Sequence, residues 1–304
     1  MMIFSQELRD FIGGRGYEPT AEMGTVIENL GFTWRADYIM RSTRPTVEDA
    51  DAFNEHCTDL GDKTSTLGCY SSADNRIYVY NVAAEEFDGI KESVLAHEVL
   101  HAIYDRLSDS KREELNAELD TFYRAHEDYF GDYMDNYSED MYFTELHSII
   151  GQRVRFADLS ASLQKHYALY FNDQDAVAAY YGKYHVILEE QDAKIDAAHA
   201  EIEEMKAILT ARRERYHERL DAYEADVAVH NRETENGNWS QARYDSLTAR
   251  KAALDSECNW INDYVDKYNE KVHAYNSLLD ERSGLYGKLD SRYQIEAAET
   301  ENAD

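Results

Sequence analysis

The chain has 304 residues, 43% of them hydrophobic, and a net charge of −30 from 61 acidic against 31 basic residues. That length suits one large domain or two modest ones, and the charge disfavours binding to phosphate backbones or anionic lipid. No run approaches the ~18 apolar residues of a membrane span, and the start, Met1 to Glu7, lacks the basic and apolar regions of a signal peptide.

Pro19 and Pro45 are the only two prolines, so long uninterrupted helices are permitted downstream. Gly13-Gly14-Arg15-Gly16 follows no convincing strand and reads as a flexible segment, not a phosphate cradle. Thr20 to Met40 fits either a helix or a helix followed by a strand. Cys57 and Cys69 would close a short loop if bridged, and a bridge would argue for an extracytoplasmic site, but spacing alone does not decide the pairing. His56 beside Cys57 is mere adjacency, since the members of a catalytic Cys-His pair normally lie apart in sequence.

Arg76 to Val82 is rich in β-branched and aromatic residues and predicts a strand. Ala83 to Gly89 connects it to a helix from Ile90 to about Leu107. Further helices are expected at about 110–125, 139–150 and 157–171. The first of these helices carries His97-Glu98-Val99-Leu100-His101 inside an apolar run. Two histidines four apart stack on one helix face, within reach of a single zinc ion, and the intervening glutamate points at the water such an ion would hold.

A strand followed by a helix bearing His-Glu-x-x-His resembles the layout of the zincin metallopeptidases, over about residues 70–150. The resemblance implies an edge strand that pairs with an extended peptide substrate, so that Tyr78, Val79, Tyr80 and Asn81 would line the cleft. It also implies one zinc ion, Zn2+, held by His97, His101 and a third ligand, with a position left open. The metzincin extension would need a glycine at 104 and a histidine at 107, whereas this chain has Tyr104 and Leu107. The gluzincin type takes a glutamate from a later helix. Glu145, among Tyr142, Phe143, Leu146 and Ile149, fits best, because a carboxylate on an apolar helix face needs a partner. Glu113, Glu114 and Glu118 compete, but their stretch is strongly polar, and His147 lies about 200° round the helix from Glu145. By this resemblance Glu98 is the general base that takes a proton from water and passes it to the leaving amine. Tyr104, Tyr142 and His147 are open candidates for stabilising the oxyanion, and Asp105 for orienting His101.

From about 173 to 290 the period changes. Val177, Tyr181, Tyr184, Leu188, Ile195, Ala198, Ile202, Met205, Leu209, Tyr216, Leu220, Tyr223 and Val227 recur mostly at steps of four and three among charged residues. The polar stretch His230 to Asn238, with an Asn-Gly turn signal, interrupts the pattern, which then resumes from Leu247 to Tyr286. Cys258 falls on this seam as a small apolar residue. The expected architecture is therefore α+β: a zincin-like domain over 1–172, an antiparallel coiled-coil hairpin over 173–290 and an acidic tail over 291–304. The expected function is a zinc metallopeptidase acting on a peptide or protein substrate. The alternative is a catalytically weak or inactive zincin-like protein serving as a coiled-coil interaction or scaffold module. The hairpin would serve a protein partner or self-association in either case.

Overall fold

The computed structural model describes residues 3–57, 67–131, 134 and 137–293. Capping residues cut the start of the chain into short helices: α1 (Ile3–Gly14), α2 (Ala21–Leu30) and α3 (Trp34–Thr43). Thr20 accepts from the Met23 amide and Thr33 from the Ala36 amide, so each hydroxyl satisfies an orphan donor of its helix. Between them Gly31 takes a left-handed conformation, φ 55°, and ends α2. The stretch Thr20 to Met40 is thus two helices rather than one helix or a helix and a strand. The Thr33 cap restarts the helix where the apolar pattern alone looked extended.

Three short strands follow: β1 (Thr46–Glu48), β2 (Gly68–Ser71) and β3 (Arg76–Tyr80), with helix α4 (Ala50–Cys57) between the first two. The sheet order is β1-β3-β2, with β1 parallel and β2 antiparallel to β3. This corrects the expected edge strand. Tyr78, Val79 and Tyr80 lie in the central strand, paired on both sides and buried, and Asn81 directly follows it, its amide bonded to the Glu48 carbonyl. The dense run Ile77-Tyr78-Val79-Tyr80 is apolar because both faces are covered. Among the described residues the two outer strands are β1 and β2, one on each side of β3. Cys57 at the end of α4 and Cys69 in β2 form a disulfide, with Cα atoms 6.0 Å apart.

The remaining helices of this part are α5 (Ile90–Asp105), α6 (Asp109–Ala125), α7 (Glu127–Phe130), α8 (Glu139–Arg153) and α9 (Ala161–Tyr167). α5 is buried almost all round, from Ile90 and Val94 through Leu95, Val99 and Leu100 to Ile103. It packs against the sheet on one side and α8 on the other. Gly151 lets α8 come close: a side chain there would stand 2.6 Å from the Tyr167 ring and 2.7 Å from Leu100. The Tyr167 hydroxyl, donating to the His147 carbonyl at 2.8 Å, ties α9 to α8 in the same place.

Two long helices complete the chain, α10 (Gln174–Glu235) and α11 (Gln241–Leu289). The chain divides into two compact units: residues 1–188 with 284–304, and residues 189–283. The division falls later than the expected boundary at 172, because Val177, Tyr181 and Tyr184 at the start of α10 are buried in the first unit's core. Within the second unit Ile195, Ile202 and Leu209 on one helix and Leu247, Leu254 and Ile261 on the other are buried at seven-residue intervals. The pairs Arg282–Asp192, Lys271–Glu201, Arg212–Glu257 and Arg250–Asp226 fall in number along one helix as they rise along the other, so the hairpin is antiparallel. Cys258 is a free, half-buried thiol on α11.

Candidate metal centre

Neighbouring turns of α5 carry His97 and His101, and α8 brings Glu145 to face them, all three side chains nearly enclosed. His97 Nε2 lies 3.0 Å from His101 Nε2. Glu145 presents one oxygen to each ring, Oε2 at 3.4 Å from His97 Nε2 and Oε1 at 3.3 Å from His101 Nε2. A tetrahedral ion with N or O donors at ~2.0–2.1 Å sets donors about 3.3–3.4 Å apart. The nitrogen–nitrogen and nitrogen–oxygen separations here are near that spacing, and the group could hold a metal ion.

The far nitrogens explain why the near ones converge. Gln152 Nε2 donates to the carbonyl and hydroxyl of Ser93, both at 2.9 Å, which fixes which end of its amide faces His97. Its Oε1 lies 3.3 Å from His97 Nδ1 and must accept there, so that nitrogen carries a proton. Thr144 Oγ1 lies 2.9 Å from His101 Nδ1. With the Nδ1 of each ring engaged on its far side, both Nε2 atoms and a carboxylate face one small space. Such a cluster needs a cation, either a proton or a metal.

The charges follow this arrangement. Burial opposes a charge on His97, but the hydrogen bond and the negative charge of Glu145 hold its pKa above the ordinary value. Burial dominates at His101, which is pushed down to about 4 despite Glu145. Glu145 resists its own burial, and the two histidines keep its carboxyl below the usual range. A metal bound here would compete with a proton for His97.

Glu98 is buried beside this group on α5. Above it passes β2: a side chain at Gly68 would stand 3.1 Å from Glu98 Oε1 and 2.4 Å from Val94. Only glycine lets the strand run this close to Glu98.

Sequence reasoning named several other residues that lie elsewhere. His147 is fully buried behind the site, its Nε2 2.9 Å from His166 Nε2, its ring stacked on Tyr167 and 5.6 Å from Tyr104. Burial depresses its pKa well below the usual value, so it stays neutral. Enclosed in this way, it has no access to a substrate oxygen. The Tyr104 hydroxyl donates to Asn116 at 2.9 Å, and Tyr142 packs edge-on against Tyr123 and Phe143. Asp105 does not orient His101; it accepts from the Tyr70 hydroxyl at 3.2 Å, and Thr144 takes that position. Gln152, Ser93 and Thr144 were missed. Gln152 had a signal, since it stands seven residues after Glu145 and so on the same face of α8.

No protein family, curated protein or solved structure matches the chain. The geometry of this site therefore carries the functional argument alone.

Proposed function

We propose that the protein is a zinc-dependent hydrolase of peptide bonds, with His97, His101 and Glu145 as metal ligands and Glu98 as general base. The observation that carries the reading is the pairing of two features on α5. A converging N, N, O donor set with fixed far nitrogens stands beside a buried carboxylate that belongs to no ligand position. Two imidazoles and one carboxylate, with a fourth position open, suit zinc in a catalytic role. When bound, zinc would polarise the scissile carbonyl and bring a coordinated water to a pKa of about 7. Glu98 accepts the proton of the attacking water and delivers it to the departing amine nitrogen, so no net proton is consumed. Gln152 keeps His97 in the tautomer that offers Nε2, and Thr144 holds the orientation of the His101 ring.

The substrate strand moves from β3 to β2. Tyr80 donates to the Leu67 carbonyl at 2.8 Å, so by antiparallel alternation Gly68 and Tyr70 turn their N–H and C=O groups away from β3. Gly68 passes beside Glu98, and these outward-facing groups are the ones an extended peptide would pair with.

The test is a pair of substitutions read by metal content and peptide cleavage. Glu98→Gln should lower cleavage by about 10²–10⁴ while about one zinc per chain is retained. Glu145→Ala should lose the zinc itself. A wild-type chain that binds no zinc at neutral pH sinks the proposal, and so does a Glu98→Gln chain that cleaves as fast as wild type.

A further inference from the structure

One face of the first unit departs from the acidic character of the whole. Leu8, Phe11 and Ile12 stand at i, i+3 and i+4 on α1 and are 57%, 44% and 58% exposed. α3 adds Trp34, 75% exposed, and Tyr38, 45% exposed. The rings form one chain: Phe11 to Tyr38 is 6.1 Å between centroids and Tyr38 to Trp34 is 6.1 Å. The opposite face of α1 explains why the stripe points out. Asp10 is buried there, bonded to the Ser42 hydroxyl at 3.2 Å and paired with Arg106 at 2.9 Å. That buried ion pair fixes the helix's rotation and leaves Leu8, Phe11 and Ile12 in solvent. Apolar patches of this size on a soluble protein mark a contact surface.

Basic side chains lie beside this stripe. Arg15, Arg35 and Arg44 are exposed on or beside these two helices, and the Arg15 guanidinium lies 5.3 Å from the Phe11 ring centre. Among the described side chains of α1 and α3 the acids are Asp10 and Asp37, and each is paired, with Arg106 and Arg41.

We propose that this face docks on an anionic lipid surface, with Trp34, Tyr38, Phe11, Leu8 and Ile12 entering the headgroup layer and the arginines meeting phosphates. Helices that lie in a membrane interface join protruding aromatic and aliphatic residues to basic ones in this way. A second copy of the chain fits less well, because a twofold contact would set arginine against arginine. The negative charge elsewhere on the chain would repel the same lipid surface, which restricts binding to this face and makes it weaken with salt.

The experiment is sedimentation of the full chain with phosphatidylcholine vesicles, with and without phosphatidylglycerol. Binding is expected with phosphatidylglycerol present and lost in salt of about 1 M, where the screening length falls to about 3 Å. Trp34→Ala combined with Phe11→Ala should abolish it, and Arg15→Gln or Arg35→Gln should weaken it roughly fivefold each. Brominated lipid should quench tryptophan emission in the wild type and not in Trp34→Phe. All these positions are exposed, and unchanged circular dichroism confirms that each variant folds. Three results overturn the proposal: no pelleting at low salt, equal binding by the Trp34→Ala, Phe11→Ala chain, or a wild-type dimer in light scattering that Trp34→Ala converts to monomer. The last would give the face to a second copy instead.

Discussion

Two carboxylates in this protein each face two basic side chains, and their settings are opposite. Glu145 meets His97 and His101 inside the first unit, where burial works against every charge. Glu257 meets Arg212 and Arg219, both at 2.8 Å, on the side of the hairpin, where water screens the pair. The same residue type and the same number of partners produce a candidate reactive centre in one place and a surface clasp in the other. What differs is the supporting layer. Gln152, Ser93 and Thr144 hold the histidines of the first, while the second leans on repeated seam positions such as Leu254 and Ile261 that tolerate loss of a single pair.

The sharpest way to widen that contrast is Gln152→Ala. It frees His97 to choose its tautomer, and zinc affinity should fall about 10–100-fold by competition with a chelator. Gln152→Glu should restore it only in part, since a carboxylate accepts from Nδ1 but cannot donate to the Ser93 carbonyl. Equal affinity in Gln152→Ala would mean that packing alone positions His97.

The second prediction concerns pH. Without metal, His97 is held above its ordinary 6.5, so its contribution to stability is present below 6.5 and fades as pH rises through the raised value. His101, lowered to about 4, acts oppositely: between 6.5 and 4 the unfolded chain takes up a proton that the folded chain refuses, and stability falls with acid. Zinc must displace the His97 proton. Its apparent affinity should therefore drop about tenfold per pH unit below the raised value, and about one proton per zinc should appear in calorimetry in buffers of different ionisation enthalpy. A flat affinity from neutral pH down to 5 would rule out competition between zinc and a proton at His97.

The smallest effect belongs to the hairpin. Glu257→Ala should cost only about 0.2–1 kcal/mol in chemical unfolding, and zinc content should not change. Arg212 keeps its place over Trp260, 3.6 Å from the ring centre, without the carboxylate. A loss of several kcal/mol would make this pair a structural centre rather than a clasp.

Much of the site was legible before folding because it is local. His97 and His101 are one helical turn apart, so their convergence depends on α5 alone. The hairpin was legible for the same reason, as its seam repeats in the sequence. The three-residue β1 and four-residue β2 were not, because strands of that length carry too little pattern to read. Missing them made β3 look like an edge. His147 misled for a related reason: a histidine near a ligand invites a role, and only its enclosure by Tyr104, His166 and Tyr167 removes it.

By itself the sequence determined what short-range periodicity can encode: the two-histidine helix, the apolar setting of Glu145, and two heptad helices with a turn between them. Tertiary structure alone decided which strand borders Glu98, which groups orient the imidazoles, that Cys57 and Cys69 join, and which way α1 faces. Each of these depends on groups far apart in the chain, such as Ser93 with Gln152 or Asp10 with Arg106. Burial then sets the energetics of those meetings, because a polar group taken out of water must find its partner wherever in the chain that partner lies.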